Sequence, residues 1–188
     1  GSVMKTSYDI RVAGLHRSLP LFRVNDSLNI AAFIIFGDVE LTERCAAELL
    51  KKIPPHDIMI TAEAKSIPLI HEMARQSGEN QYIIARKALK VYMRDVVSVS
   101  VKSITTQNVQ TLYLGGDDAE LMRGKRVLIV DDVISTGESL SALEKLVTKA
   151  GGNICGKAAI LAEGEAADRD DIIYLEKLPL FDSEGNIL

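Results

Sequence analysis

Residues 127–139 read VLIVDDVISTGES, and the order of residue types in this stretch decides the fold. Its first four residues are apolar and β-favouring, follow the polar Gly124-Lys125-Arg126, and are too few for a helix. That is the pattern of a strand buried on both faces of a parallel sheet. Asp131 and Asp132 come next, where the strand is expected to emerge at its carboxyl end. A short loop, Ser135-Thr136-Gly137-Glu138-Ser139, leads into a helix expected from about Ser139, because Leu140, Leu143, Leu146 and Val147 recur at helical spacing. Strand, loop and helix start make an anion site, since backbone N–H groups and the helix dipole converge there. Ser and Thr hydroxyls add donors, and Gly137 admits a phosphate close to the backbone. The two acids cannot bind that anion. They suit the hydroxyls of a neighbouring diol, or a metal-bound ligand, and phosphate beside a vicinal diol describes a ribose 5-phosphate.

Outward from this stretch, strands and helices alternate. Residues 57–61 (DIMIT) read as a second buried strand, followed by Ala62-Glu63-Ala64-Lys65-Ser66. A helix over 67–76 is expected next, with Ser66 as N-cap and Pro68 in its first turn. Residues 81–85 (QYIIA) form a third strand that ends on Arg86-Lys87-Ala88-Leu89-Lys90, a basic cluster in an acidic chain. Upstream, 41–53 reads as a helix with Thr42 as N-cap, stopped by Pro54-Pro55. Residues 29–36 (NIAAFIIF) fit either a strand or a buried helix. Val97, Val99 and Val101, then Val109, Thr111 and Tyr113, alternate with mostly polar residues, which predicts a hairpin with Thr105-Thr106-Gln107-Asn108 at its tip. A helix exit at Ala150-Gly151-Gly152, a strand over 154–161, an acidic loop over 163–171 and a strand over 172–175 complete the pattern. The fold class is α/β, a doubly wound, mainly parallel sheet with ligands at the strand carboxyl ends.

Composition limits the alternatives. The chain has 188 residues, enough for one domain with a real core. Hydrophobic residues make up 47% and charged residues 26%, as in a soluble globular protein. A net charge of −4 gives no footprint for nucleic acid and no attraction to anionic membrane. Cys45 and Cys155 are far apart and in no metal-like spacing, which suits reduced thiols in a cytoplasmic protein. No apolar run reaches the roughly 18 residues of a membrane span, and no signal peptide is visible. Gly1-Ser2-Val3 before Met4 reads as an expression scar, leaving 4–188 as a single domain.

The stretch 127–139 closely resembles the phosphoribosyl-pyrophosphate (PRPP) signature of type I phosphoribosyltransferases: four hydrophobics, two acids, then a small-residue Thr-Gly loop. Glu63-Ala64-Lys65-Ser66 is similar to the Glu-Ala-Arg-Gly of adenine phosphoribosyltransferases, with Lys for Arg and Ser for Gly. Arg86, Lys87 and Lys90 keep the spacing of the basic residues that such enzymes carry after the third strand. The resemblance covers about residues 40–162 and implies transfer of 5-phosphoribose from PRPP to a purine base, with release of pyrophosphate. It implies that Asp131 and Asp132 hold the ribose hydroxyls, and that Ser135, Thr136, Gly137, Glu138 and Ser139 cradle the 5-phosphate. Ala64, Lys65 and Ser66 would grip the pyrophosphate, helped by Arg86, Lys87 and Lys90 from the partner in a homodimer. Mg²⁺ would arrive chelated by PRPP rather than on protein ligands.

The same resemblance places a hood at about 8–36, a core at about 37–175 and a mobile lid at about 91–114. Adenine-type relatives carry a lid glutamate that handles the proton of the base. Here the only acid between Lys90 and Gly116 is Asp95, so either Asp95 does that work or the lid lacks a base. Hypoxanthine-guanine relatives place an aspartate at the position of Ser135 and adenine-type relatives an alanine, which makes an adenine-like layout the better match. The alternative from a different class is a non-catalytic domain that senses PRPP or a nucleotide.

Overall fold

The computed structural model describes residues 3–103 and 107–188. Gly1-Ser2 of the expected expression scar and Thr105-Thr106 of the expected hairpin tip lie outside the described residues. The chain begins with an antiparallel sheet of three strands, β1 (Ser7–Val12), β2 (Leu15–Asn25) and β3 (Leu28–Ala31). β2 pairs with β1 as far as Pro20 and with β3 from Leu21, so the proline sits where the strand changes neighbours. Its missing N–H is tolerated there. Residues 29–36 divide: the strand ends at Ala31, and the irregular segment after it buries Phe33 and Ile35.

Helix α1 (Val39–Leu50) starts earlier than its apolar spacing suggests. Its cap is Asp38, whose Oδ1 accepts from Leu41 N at 3.1 Å. Thr42, expected to be the cap, lies inside the first turn, buried, and donates its hydroxyl to Asp38 O at 2.8 Å. A carboxylate just after the left-handed Gly37 satisfies the free amides of the first turn, which an internal threonine cannot do.

The rest of the chain runs β4 (Ile58–Ala62), α2 (Ile67–Ser77), β5 (Ile83–Ala85), the hairpin β6 (Val97–Lys102) and β7 (Val109–Leu114), then the short α3 (Gly116–Met122). It ends with β8 (Arg126–Ile134), α4 (Glu138–Lys149), β9 (Asn153–Glu163), a 3₁₀ turn over Gly164–Asp168 and β10 (Ile173–Leu178). β4, β5, β8, β9 and β10 form an all-parallel sheet in the order β10-β9-β8-β4-β5. The chain moves outward from β4 to β5, crosses back to the other side of β4 for β8, then continues outward. The winding therefore reverses between β4 and β8, where such sheets open a ligand crevice.

β8 shows why its apolar run is continuous. Leu128 and Val130 face a core shared with α1, α2 and the N-terminal sheet, while Val127 and Ile129 face one shared with α4 and the hairpin. All four are fully buried, so the strand has no solvent face. The strand is also longer than its apolar run. It stays paired with β9 through Ile134, so Asp131 and Asp132 belong to the strand and not to the loop beyond it. β9 likewise runs past the expected limit and ends on Glu163.

Two attachments position the peripheral parts. Arg17 Nε lies 2.8 Å from Asp38 Oδ2, and Asn29 and Phe181 exchange backbone hydrogen bonds of 2.8 and 3.0 Å, which pins the N-terminal sheet to the core. The hairpin is better packed than its alternating pattern suggests. Leu112 and Leu114 are fully buried, Lys149 Nζ donates to Ser98 O at 2.7 Å, and Ser103 Oγ donates to Glu138 Oε1 at 3.0 Å. No helix of the described residues is long and apolar enough to cross a membrane.

Candidate active site

β8 pairs with β4 only as far as Ile129, but with β9 as far as Ile134. Beyond Ile129 one edge of β8 is therefore bare, and it faces the loop between β4 and α2. Asp131 and Asp132 stand on that edge. Asp131 is half-buried and Asp132 is 3% exposed. From the opposite loop, Ser66 Oγ lies 2.8 Å from Asp131 Oδ1 and 3.2 Å from Asp132 Oδ1, and accepts from Asp132 N at 2.9 Å. Lys65 Nζ is 3.4 Å from Asp132 Oδ2, an oxygen buried without a hydrogen-bond partner among the described residues. Burial, reinforced by the Asp132 carboxylate, raises the Asp131 carboxyl toward its protonated form.

Two adjoining hollows flank the acids. One, of about 150 Å³, is lined by Glu63, Lys65, Ser66, Lys87, Asp131 and Asp132, among others. The other, of about 80 Å³, is a cup formed by Ser135, Thr136, Gly137 and Ser139 with Asp131 at its edge. The cup sits at the N-terminus of α4, where Gly137 (φ +85°) is the cap residue and the Glu138 N–H donates to Thr136 Oγ1 at 3.4 Å. The first-turn amides and the helix dipole make the cup attractive to an anion. α4 begins at Glu138, one residue before the start expected from spacing, and the Glu138 carboxylate turns away to Ser103 of the hairpin.

Not every residue expected at the site gathers there. The β4–α2 loop does so, with Ala64 in the wall of the larger hollow and a cis peptide between Glu63 and Ala64. Lys87 lines the same hollow, and its N–H donates to Glu63 Oε1 at 2.7 Å. That bond is the first cause holding the Glu63 carboxyl below the ordinary range. Arg86 is turned aside: its Nε lies 3.2 Å from Glu63 Oε2 and its Nη1 reaches the Tyr92 hydroxyl. Lys90 lines neither hollow and acts on Glu63 only through its charge. Asp95 stands apart from both acids, in the wall of a separate cavity of about 800 Å³ shared with Arg86, Tyr92 and Arg94.

Two residues at the crevice were absent from the sequence-based set. Glu163, the last residue of β9, leaves the sheet near Ser135, and burial raises its carboxyl against the lowering influence of the Ser135 hydroxyl and Lys65. Placing the end of β9 two residues early hid it in an acidic loop. Arg169 is locked by Asp171 through two 2.8 Å bonds and reaches the α4 cup, where a Cβ on Gly137 would come within 2.9 Å of its Nη1. No local signal marks that contact. No group of three or more His, Cys, Asp or Glu among the described residues is placed to hold a metal ion.

A parallel sheet with an acid pair and a cup at a helix N-terminus at its winding reversal defines a doubly wound α/β protein with its candidate site at that reversal. The comparisons with known proteins make the class specific. The phosphoribosyl transferase domain model matches residues 39–181, and the chain belongs to that family. Its curated relatives include a hypoxanthine/guanine phosphoribosyltransferase of Methanotorris igneus, 32% identical over 128 residues. That match covers 67% of this chain but only 66% of the relative, so the chain spans a little under two thirds of that protein's length. An adenine phosphoribosyltransferase of Corynebacterium jeikeium is 38% identical over 71 residues, 38% of this chain and 33% of the relative. Among solved structures, the adenine phosphoribosyltransferase of Thermoanaerobacter pseudethanolicus superposes with a TM-score of 0.64 at 23% identity, over 76% of this chain and 84% of its own. The Saccharomyces cerevisiae enzyme gives 0.64 at 17% identity, over 84% and 92%. These likenesses establish the type I phosphoribosyltransferase fold.

Proposed function

We propose that this chain is a purine phosphoribosyltransferase, adenine-like in layout, that transfers 5-phosphoribose from PRPP to a purine nitrogen and releases pyrophosphate. The observation that carries the reading is the placement of Asp131 and Asp132 between the α4 cup and the hollow lined by Lys65 and Lys87. A 5-phosphate in the cup puts the ribose hydroxyls at the acids, and the leaving pyrophosphate then lies against the two lysines. Those cations, with the loop amides, offset the negative charge that develops on the leaving group. The acids bordering this hollow suit a Mg²⁺ that arrives chelated by PRPP oxygens rather than on protein ligands, since Asp132 Oδ2 is taken by Lys65 and the Glu63 oxygens by Lys87 N and Arg86 Nε. When bound, Mg²⁺ supplies further charge neutralisation.

The adenine preference rests on Ser135, which is small and is not a carboxylate; curated relatives of both purine specificities match the chain. The homodimer enters the reading because Arg86 and Lys90 line neither hollow of their own crevice and sit next to the exposed Leu89, Val91 and Tyr92. The position of Asp95, remote from the acids, favours a second reading in which the domain binds PRPP or a nucleotide and transfers nothing. Incubation with PRPP, Mg²⁺ and, separately, adenine, hypoxanthine, guanine and xanthine, with pyrophosphate release as readout, decides between them. Release with adenine first is expected, and its loss in an Asp131→Asn, Asp132→Asn double variant. Binding of PRPP without release for any base would establish the sensor instead.

A further inference from the structure

Ser66 occupies the N-cap position of α2, yet its side chain caps nothing in that helix. Its exposure is only 2%, and a buried hydroxyl must find partners inside the protein. It finds them on a different strand: Oγ lies 2.8 Å from Asp131 Oδ1 and 3.2 Å from Asp132 Oδ1, and receives the Asp132 N–H at 2.9 Å. The Asp132 N–H also reaches Asp131 Oδ1 at 2.8 Å. Hydroxyl, amide and carboxylate thus close a ring in which the single proton of the serine is shared between the acids and one of its lone pairs is occupied. Nothing in this arrangement leaves the hydroxyl turned toward a ligand.

The ring has two mechanical effects. It fixes the rotation of the Asp131 carboxyl, and so decides which oxygen faces the crevice. It also fastens the loop that bears Lys65 to the strand that bears the acids, with Lys65 Nζ 3.4 Å from Asp132 Oδ2. Glycine in this position would leave the fastening to the Lys65–Asp132 ion pair.

We propose that Ser66 is a positioning residue for the acid pair: its hydroxyl orients Asp131 and Asp132 for a sugar diol and keeps the Lys65 loop in register with them, without touching the ligand. The assignment rests on the phosphoribosyl reading for the identity of the diol. The charged groups around Asp131 are Asp132 on its own strand, Glu63 and Lys65 on the β4–α2 loop, and Lys87 after β5. Glu163 at the end of β9 acts on the same set through Lys65. Neutral Gln110 from β7 and Ser139 from α4 complete the wall. A donated hydroxyl proton favours the ionised carboxylate, so removing it makes the acid easier to protonate.

The test compares the unaltered chain with Ser66→Ala and Ser66→Gly, each checked for a retained unfolding transition. Carboxyl ¹³C NMR titration, with no ligand present, is expected to show the Asp131 midpoint moving upward in both variants. Steady-state assays at neutral pH are expected to show KM for PRPP raised about tenfold, the loss of a hydrogen bond to a charged group, with kcat within about threefold. The KM defect shrinks as pH rises, because alkali ionises the pair without help from the serine. An unmoved carboxyl titration with an unchanged KM overturns the assignment. So does a fall in kcat at unchanged KM, which would put the hydroxyl at the reacting atoms. If the unaltered chain fails to bind PRPP, the phosphoribosyl reading falls, while the ligand-free titration still judges Ser66.

Discussion

At the scale of the residue, the site is built from a carboxyl held where the fold would rather have it neutral. Asp131 is raised from 3.8 to about 7, first by burial and then by Asp132. The sign of its effect on stability follows from that direction. A carboxyl whose folded value exceeds its unfolded one takes up a proton on folding, so its burial costs nothing below the unfolded value. The cost appears as pH rises toward the folded value and is fully present above it. Asp131→Asn should therefore leave stability nearly unchanged at about pH 4 and raise it by about 2 kcal/mol at about pH 8, a fraction of the ideal linkage, discounted for the partly exposed site. Asn keeps an oxygen for Ser66 and for Asp132 N, so the ring survives the exchange. On the proposed transferase reading the same variant should lose turnover, since an amide would replace a carboxylate assigned to the sugar hydroxyls. Chemical denaturation at the two pH values checks it, and equal stability at both would show that Asp131 is not buried as an unfavourable charge.

At the scale of the element, what could be read from the chain was whatever repeats along it. The continuous apolar run of β8 announced a strand covered on both faces, the helical spacing of Leu140, Leu143 and Leu146 announced α4, and alternation announced the hairpin. Ends were harder. β8 and β9 continue through polar residues because each lends the other a pairing edge, and no one-dimensional pattern contains that edge. The motifs at 63–66 and 127–139 are local orders of residue types, read through their resemblance to a family's signatures rather than from periodicity. The aim of Ser66 at Asp131, and the reach of Arg169 over Gly137, join residues distant in sequence and needed the fold. Gly137 offers a direct measure of such a contact. Its φ of +85° strains any other residue, and a Cβ would also meet Arg169 Nη1 at 2.9 Å. Gly78, at φ +77°, has nothing within 4 Å and isolates the strain alone. Gly78→Ala should cost about 1 kcal/mol and Gly137→Ala about 2 or more, with a raised KM for PRPP only in the latter. Equal costs in urea melts would mean that Arg169 yields freely and does not brace the α4 cup.

At the scale of the whole molecule, the crevice lies where the two cores meet along β8, so both faces of the sheet hold the acids in place. The cations divide in two. Lys65 and Lys87 face the crevice, whereas Arg86 and Lys90 lie beyond it, on a segment that exposes Leu89 by 60%, Val91 fully and Tyr92 by 68%. Adjacent exposed apolar side chains are costly in water and make this segment a candidate contact surface. If a second copy covers it, Arg86 and Lys90 gain a crevice to serve. Sedimentation should then give a dimer, and Val91→Asp, which buries a charge in the contact, should give a folded monomer. Mixing separates contact from chemistry. A variant with both acids changed to Asn and a variant with Arg86→Ala should each be inactive, and their mixture after subunit exchange should regain activity. Recovery arises because one crevice of the mixed dimer keeps its own acids and receives an intact Arg86 from its neighbour. A mixture that stays inactive, although sedimentation shows dimers, would confine Arg86 to its bond with Glu63 and leave the pyrophosphate to Lys65 and Lys87.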